Sequence, residues 1–258
     1  MGDSVAGIQA VAEHPVTGEK MAQSQQLPNE LVQKLQKAHG DKLVSVVLYG
    51  SAAVPGAQDR RSDINILCVL KQVTPDELHA AEPIFRWWRE MKNPSPLLLS
   101  TDEFRTSTDC FPMEFHDIKE RHCVLYGDNL ITGLEINDRY YRAMVEHELR
   151  AKLLRLRQKA GGILSEGDLL LRLMTDSVST FCVVFRHALR LAGDESLYDK
   201  HAIVAATARR FGIDAKPFNT LLDLREEKVK PRNIQSGPLF RDYLKQIHNV
   251  IEAVDQLH

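Results

Sequence analysis

Leu48-Tyr49-Gly50-Ser51, followed after a short connection by Ser62-Asp63-Ile64-Asn65-Ile66-Leu67, is the part of this sequence that decides its fold. Residues 43–49 form a β-rich run that stops at Gly50-Ser51, and residues 63–70 form a second. Both read as buried strands. Gly50 ends its strand where a backbone must come close to something else, and the Ser51 hydroxyl stands beside the free N–H groups of the turn that follows. Such a corner is a seat for phosphate. On the second run Asp63 and Asn65 are two positions apart, so strand alternation predicts both side chains on one face. A metal ion held between them would sit near the phosphates.

Outward from this pair, Pro28 suits a first helical position, and Leu31, Leu35 and Ala38 keep helical spacing up to Gly40. Thr74 is a helix cap before Pro75, and that helix runs through Trp87 and Trp88 until Asn93-Pro94-Ser95-Pro96 breaks it. Residues 97–99, 113–118 and 122–126 read as further strands that complete a small α/β block. Beyond Gly127 the pattern turns helical, with long amphipathic stretches over residues 136–160 and 166–192. The expected organisation is a mobile leader over residues 1–26, an α/β domain over 27–134 and a helical domain over 135–258.

Composition limits the function classes. Of 258 residues, 43% are hydrophobic and 26% charged, which excludes wholesale disorder and fibrous repeats. Lys and Arg number 33 against 35 Asp and Glu, a net charge of -2, so there is no strong nucleic-acid signal and no general attraction to an anionic membrane. No apolar run approaches the ~18 residues of a spanning helix. The 4 cysteines stand outside CxxC pairs, which fits reduced thiols in a cytoplasmic protein.

The order Gly-Ser, short connection, Asp-x-Asn on an apolar strand resembles the nucleotidyltransferase superfamily of the DNA polymerase β type, whose signature places Asp-x-Asp on the second strand. Gly50 and Ser51 match the phosphate-binding pair, Asp63 matches the first metal-binding Asp, and Asn65 stands where the second is expected. An α/β block followed by helices also resembles the kanamycin nucleotidyltransferase branch. The resemblance implies a mixed-sheet α/β nucleotidyltransferase fold followed by an all-α helical domain. It also implies Mg2+ as cofactor and a nucleoside triphosphate as partner. The reaction it implies is in-line attack on the α-phosphorus by a hydroxyl of a small molecule or protein, with pyrophosphate leaving. Two Mg2+ ions ~3.5–4 Å apart need bridging carboxylates between them. Asp63 supplies one; Asn65 lends only a neutral oxygen. A site so weakened is compatible with a degenerate member that binds nucleotide without turning it over.

The resemblance also calls for a third carboxylate on a neighbouring strand. Glu114 is the favoured candidate for that metal and catalytic role, with Asp117 on the opposite face by alternation. Glu146-His147-Glu148-Leu149-Arg150 resembles the helix from which kanamycin nucleotidyltransferase supplies its base, so Glu146 and Glu148 are candidate bases. Arg150 and Lys152 are candidate triphosphate contacts. The same four residues are also spaced as ordinary i,i+4 ion pairs. His116, His122 and Cys123 lack a fourth spaced ligand for zinc. A different class of function rests on Arg241 and His248, whose spacing resembles the Arg and His of HEPN ribonucleases. They share a helix face because seven residues make almost two turns.

Overall fold

The structure is a computed structural model that describes residues 16–53 and 64–257, with side chains from residue 26 onward. Asp63, the first expected metal ligand, lies outside the described residues. The chain forms two compact units. One is Met1–Phe104 with Arg121–Thr132, and the other is Arg105–Glu120 with Gly133–His258.

The first unit is built on a four-stranded sheet of β1 (Leu43–Tyr49), β2 (Asn65–Leu70), β3 (Leu97–Ser100) and β4 (His122–Gly127) in the order β3-β2-β1-β4. β1 pairs antiparallel with both β2 and β4, while β2 and β3 run parallel. The sequence of β1, Leu-Val-Ser-Val-Val-Leu-Tyr, explains its central place. It is rich in β-branched residues, and Val46 and Val47, which alternation sends to opposite faces, are both fully buried. Val46, Ile66, Cys68 and Leu70 form one apolar cluster with Leu31 and Leu35 of α1 (Val16–His39) and Ile84 and Trp88 of α2 (Pro75–Glu90). Each such side chain contributes about 1.5–3 kcal/mol by leaving water. Trp87 is half-buried instead, with the Lys34 ammonium 4.8 Å from its ring centre.

Helix α2 starts where its sequence says it should. The Thr74 hydroxyl oxygen accepts from the Asp76 N–H at 3.3 Å, and the Glu77 carboxylate accepts from the Thr74 N–H at 3.0 Å, a reciprocal cap with Pro75 in the first turn. Glu77 also accepts from Lys42 Nζ at 2.7 Å, tying the helix to the chain just before β1.

Two expectations are corrected here. Helix α1 begins at Val16 and carries Pro28 in its interior, not at its first position. The part of the expected leader from residue 16 to 26 is therefore helical, and its first 15 residues lie outside the described residues. Residues 113–118, expected as a strand, lie in helix α4 (Pro112–Glu120), which places Glu114 on a helix. Phe111, Met113 and Phe115 alternate like a strand, but Met113/His116 and Phe115/Ile118 also sit one helical step apart, and all four are buried. Pro112, which fixes its own φ near the helical value, sits at the start.

The second unit is helical: α4, α5 (Tyr141–Ala160), α6 (Gly167–Leu191), α7 (Lys200–Phe211), α8 (Lys216–Arg225) and α9 (Ser236–Asp255). Helix α3 (Thr101–Thr106) spans the crossing from the first unit into it. α6 packs against α5, α7, α8 and α9. Its buried Leu170, Met174, Val178, Phe181, Phe185 and Ala188 recur at steps of three and four, the stripe a central helix needs. Phe218 is the aromatic hub, 5.2 Å between ring centres from both Phe185 and Tyr243. Among the described residues no helix is long and apolar enough to cross a membrane.

The Glu77 cap makes a pH test of the first unit. The bond from Lys42 and those from Thr74 hold its carboxyl well below the ordinary 4.5, at about 2. A value lowered by folding stabilises fully above the unfolded value and loses that contribution as pH falls through the folded one. Glu77→Gln should therefore lower the melting temperature at pH 7, and the gap from wild type should narrow as pH drops from 4.5 toward 2. Melting curves recorded by circular dichroism across that range test this. A gap independent of pH would show that the carboxylate charge contributes nothing.

Candidate active site

At the end of β1 the backbone turns sharply. Gly50 adopts φ +80°, a left-handed conformation that a side chain would strain, and its N–H donates to the Arg121 carbonyl at 2.9 Å. A 3-10 turn, Gly50–Ala53, follows at once and carries Ser51 in its first step. Asn65, the first residue of β2, is the cross-strand partner of Tyr49. Its side chain lies against the glycine: a Cβ placed on Gly50 would be 3.3 Å from Asn65 Nδ2, with Oδ1 farther away. The amide nitrogen thus faces Gly50, and the oxygen, the atom a cation takes, is turned away.

The other side of this corner was not legible in the sequence as part of a site. His122, first residue of β4, pairs with Tyr49 across from Asn65, and Arg121 precedes it. The backbone of Arg121 and His122 therefore borders the Gly50 turn. Their adjacency in the chain is visible in the sequence. Their meeting with Gly50 depends on the β1–β4 register, which is not.

The structure distributes the remaining candidates as follows. No described strand contains an Asp or Glu: the four read Leu-Val-Ser-Val-Val-Leu-Tyr, Asn-Ile-Leu-Cys-Val-Leu, Leu-Leu-Leu-Ser and His-Cys-Val-Leu-Tyr-Gly. Extending the β2–β3 register back from Leu67 and Leu97 aligns Ser95 with Asn65. Glu114 lies on the exposed side of α4 in the helical unit. Asp117, on that same helix, accepts from Arg186 Nη2 at 2.5 Å and lies 3.2 Å from His187 Nε2, and the other nitrogen of His187 shares a 2.7 Å hydrogen bond with the Tyr141 hydroxyl. Burial alone would raise the Asp117 carboxyl, but His187 and Arg186 outweigh it and hold it below its usual range. Asp117 is thus an ion-pair partner within the helical unit. His116 similarly bonds Asp138 at 2.6 Å.

On α5, Glu146 is bracketed by Arg150 at 2.7 Å and Arg142 at 3.0 Å. Chiefly through Arg150, its carboxyl is held below its ordinary value, which lessens its strength as a base. Glu148 meets Lys152 at 3.3 Å and is the less encumbered of the two. Arg241 and His248 are exposed on α9, where His248 lies 3.1 Å from Glu252.

No family model matches the chain, and no curated protein does. Among solved structures the chain is similar to spectinomycin adenyltransferase AAD(9) from Enterococcus faecialis, in a crystal with ATP and spectinomycin. The TM-score is 0.59 at 14% identity, over 89% of this chain and 99% of that one. The chain has a nucleotidyltransferase fold. Two further similarities are slighter. A toxin-antitoxin crystallised with AMP-PNP matches over 39% of this chain and 74% of its own at 20% identity. A tri-AMPylated Shewanella oneidensis HEPN toxin with its MNT antitoxin matches over 55% and 97% at 17%. Both have a TM-score of 0.28.

At the Gly50 corner a side chain would meet both a left-handed backbone and the Asn65 amide. Gly50→Ala should cost roughly 1–2 kcal/mol for the left-handed backbone, and it should also push Asn65 off its seat. Urea unfolding against wild type measures the cost. A loss within the few tenths expected of an exposed surface change would mean that the turn conformation is not required.

Proposed function

We propose that this chain binds a nucleoside triphosphate with Mg2+ at the Gly50 corner and transfers the nucleoside monophosphate to a hydroxyl on a small molecule or protein. The observation that carries this reading is the placement of Asn65 against Gly50 in a sheet whose fold is that of AAD(9). Gly50 and Ser51 hold the phosphates, with Arg121 and His122 supplying basic character on the far side of Tyr49. Asp63 and Asn65 are the proposed metal ligands in this unit. Mg2+, when bound, would neutralise the leaving pyrophosphate oxygens. Of the two candidate bases in the helical unit, Glu148 is preferred over Glu146, because Arg142 and Arg150 already claim Glu146. A cytoplasmic setting, where thiols stay reduced, suits the cysteines described as free.

A second reading has its own support. With no carboxylate on any described strand and a neutral amide at position 65, the site has few anionic ligands for two cations. On that reading the chain holds a nucleotide and releases it unchanged. The HEPN-like ribonuclease reading has only the Arg241 and His248 spacing behind it.

One set of proteins separates these. With Mg2+ and each of the four ribonucleoside triphosphates, wild type should be stabilised by at least one of them. Ligand at about 100 times its Kd adds ~2.7 kcal/mol, and at roughly 2–4 °C per kcal/mol a thermal melt resolves that readily. Asp63→Ala should abolish the Mg2+-dependent part, and Asn65→Asp should enlarge it. Pyrophosphate release with spectinomycin as the first trial acceptor then tests transfer. Stabilisation without any release, in wild type and Asn65→Asp alike, favours the binding-only reading. Identical melts for all three proteins with every triphosphate would end both.

A further inference from the structure

A second cluster of chemistry lies far along the chain from the Gly50 corner, wholly within the helical unit. His201 stands at the start of α7. Asn219 and Asp223 on α8, with Glu226 at its end, share one helix face at steps of four and three. His201 Nδ1 is 3.1 Å from Asn219 Oδ1, so the Nδ1 proton points at that carbonyl oxygen. The other ring nitrogen, Nε2, then faces two carboxylates, 3.3 Å from Glu226 and 3.9 Å from Asp223. One imidazole nitrogen facing two carboxylates across less than 4 Å is a donor set suited to a cation.

We propose that His201, Asp223 and Glu226 form a divalent transition-metal site that takes Zn2+ in preference to Mg2+ and clamps α7 to α8. Their donor atoms all lie within 4.8 Å of one another. Zn2+ bonds to such donors at ~2.0–2.2 Å, which puts neighbouring donors about 3.4 Å apart in a tetrahedron, so small rotamer shifts close the site. The imidazole sets the selectivity, since Mg2+ prefers an all-oxygen shell. Asn219 is a positioning residue: its oxygen orients the ring, as the outer partner of a metal-bound histidine does. All three ligands are about one-third exposed, leaving room for water in the remaining position. The Lys228 ammonium, 2.6 Å from Glu226, is the competitor.

The competition makes the test sharp. The full chain, stripped with a chelator and kept in excess Mg2+, is titrated with ZnCl2 against a fluorescent zinc chelator. Wild type should bind Zn2+ tightly, and His201→Gln and Asp223→Asn should each weaken it at least 10-fold. Asn219→Ala should weaken it 10–100-fold, the usual effect of removing an outer partner. Lys228→Ala should tighten it, the reverse of what a simple salt-bridge network predicts. Zn2+ should also shift the His201 ring resonances, which reads the site without any variant. Equal affinity in wild type, His201→Gln and Lys228→Ala, or ring resonances that do not move, would leave an ion-pair network only. Because the readout uses no nucleotide, this outcome is independent of the Gly50 site.

Discussion

Everything proposed for the first unit depends on one hydrogen bond in one backbone conformation: Gly50, at φ +80°, donating its N–H to the Arg121 carbonyl. The bond ends β1 at a fixed point and ties its tip to the entry of β4. The left-handed φ then throws the chain out of the sheet into the turn that carries Ser51. With β1 paired on both sides, the tip cannot slide without breaking the ladders to β2 and β4 together. The buried sheet thus gives the corner its rigidity, and glycine makes the corner possible.

Legibility in the sequence followed how local the deciding force was. Strands β1 and β2 and the α2 cap were readable because β-branched runs, Gly-Ser and Thr-Pro-x-Glu act over a few residues. Residues 113–118 failed because two periodicities overlap there: Phe111, Met113 and Phe115 satisfy a strand, while Met113 with His116 and Phe115 with Ile118 satisfy a helix. Burial of all four, in a segment that belongs with the helices, decided for the helix. Arg121 and His122 were invisible as neighbours of Gly50 for a related reason, since strand register between distant segments leaves no local mark. At Glu146 the sequence showed the partner at Arg150. Arg142, four residues in the other direction, escaped notice and adds to the effect of Arg150 in holding the Glu146 carboxyl below its ordinary value.

Charge is distributed unevenly between the sheet and the helices. The described strands carry no acid at all, whereas the helical unit encloses acids in partnered sets: Asp117 with Arg186, Glu120 with Arg190, Ser196 and Tyr198, and Asp138 with His116. Removing one member of a partly buried pair such as Asp117 with Arg186 leaves the other short of its partner. These acids are bound up in the stability of the helices. A catalytic carboxylate needs the opposite setting, a charge left open to a metal or a proton.

The path of the chain between the units has a consequence for modularity. The polypeptide passes from one unit to the other at residues 104–105, 120–121 and 132–133, because α4 belongs with the helices although β3 precedes it and β4 follows it. No single cut yields two whole pieces. A fragment ending near residue 134 would carry α4 with Met113 bared, and the complementary fragment would keep Arg186 and His187 facing the space Asp117 had filled. Such a chain cannot have its halves exchanged as independent cassettes. Inheritance, expression and proteolytic survival of the two units are bound to one another by nine residues of helix.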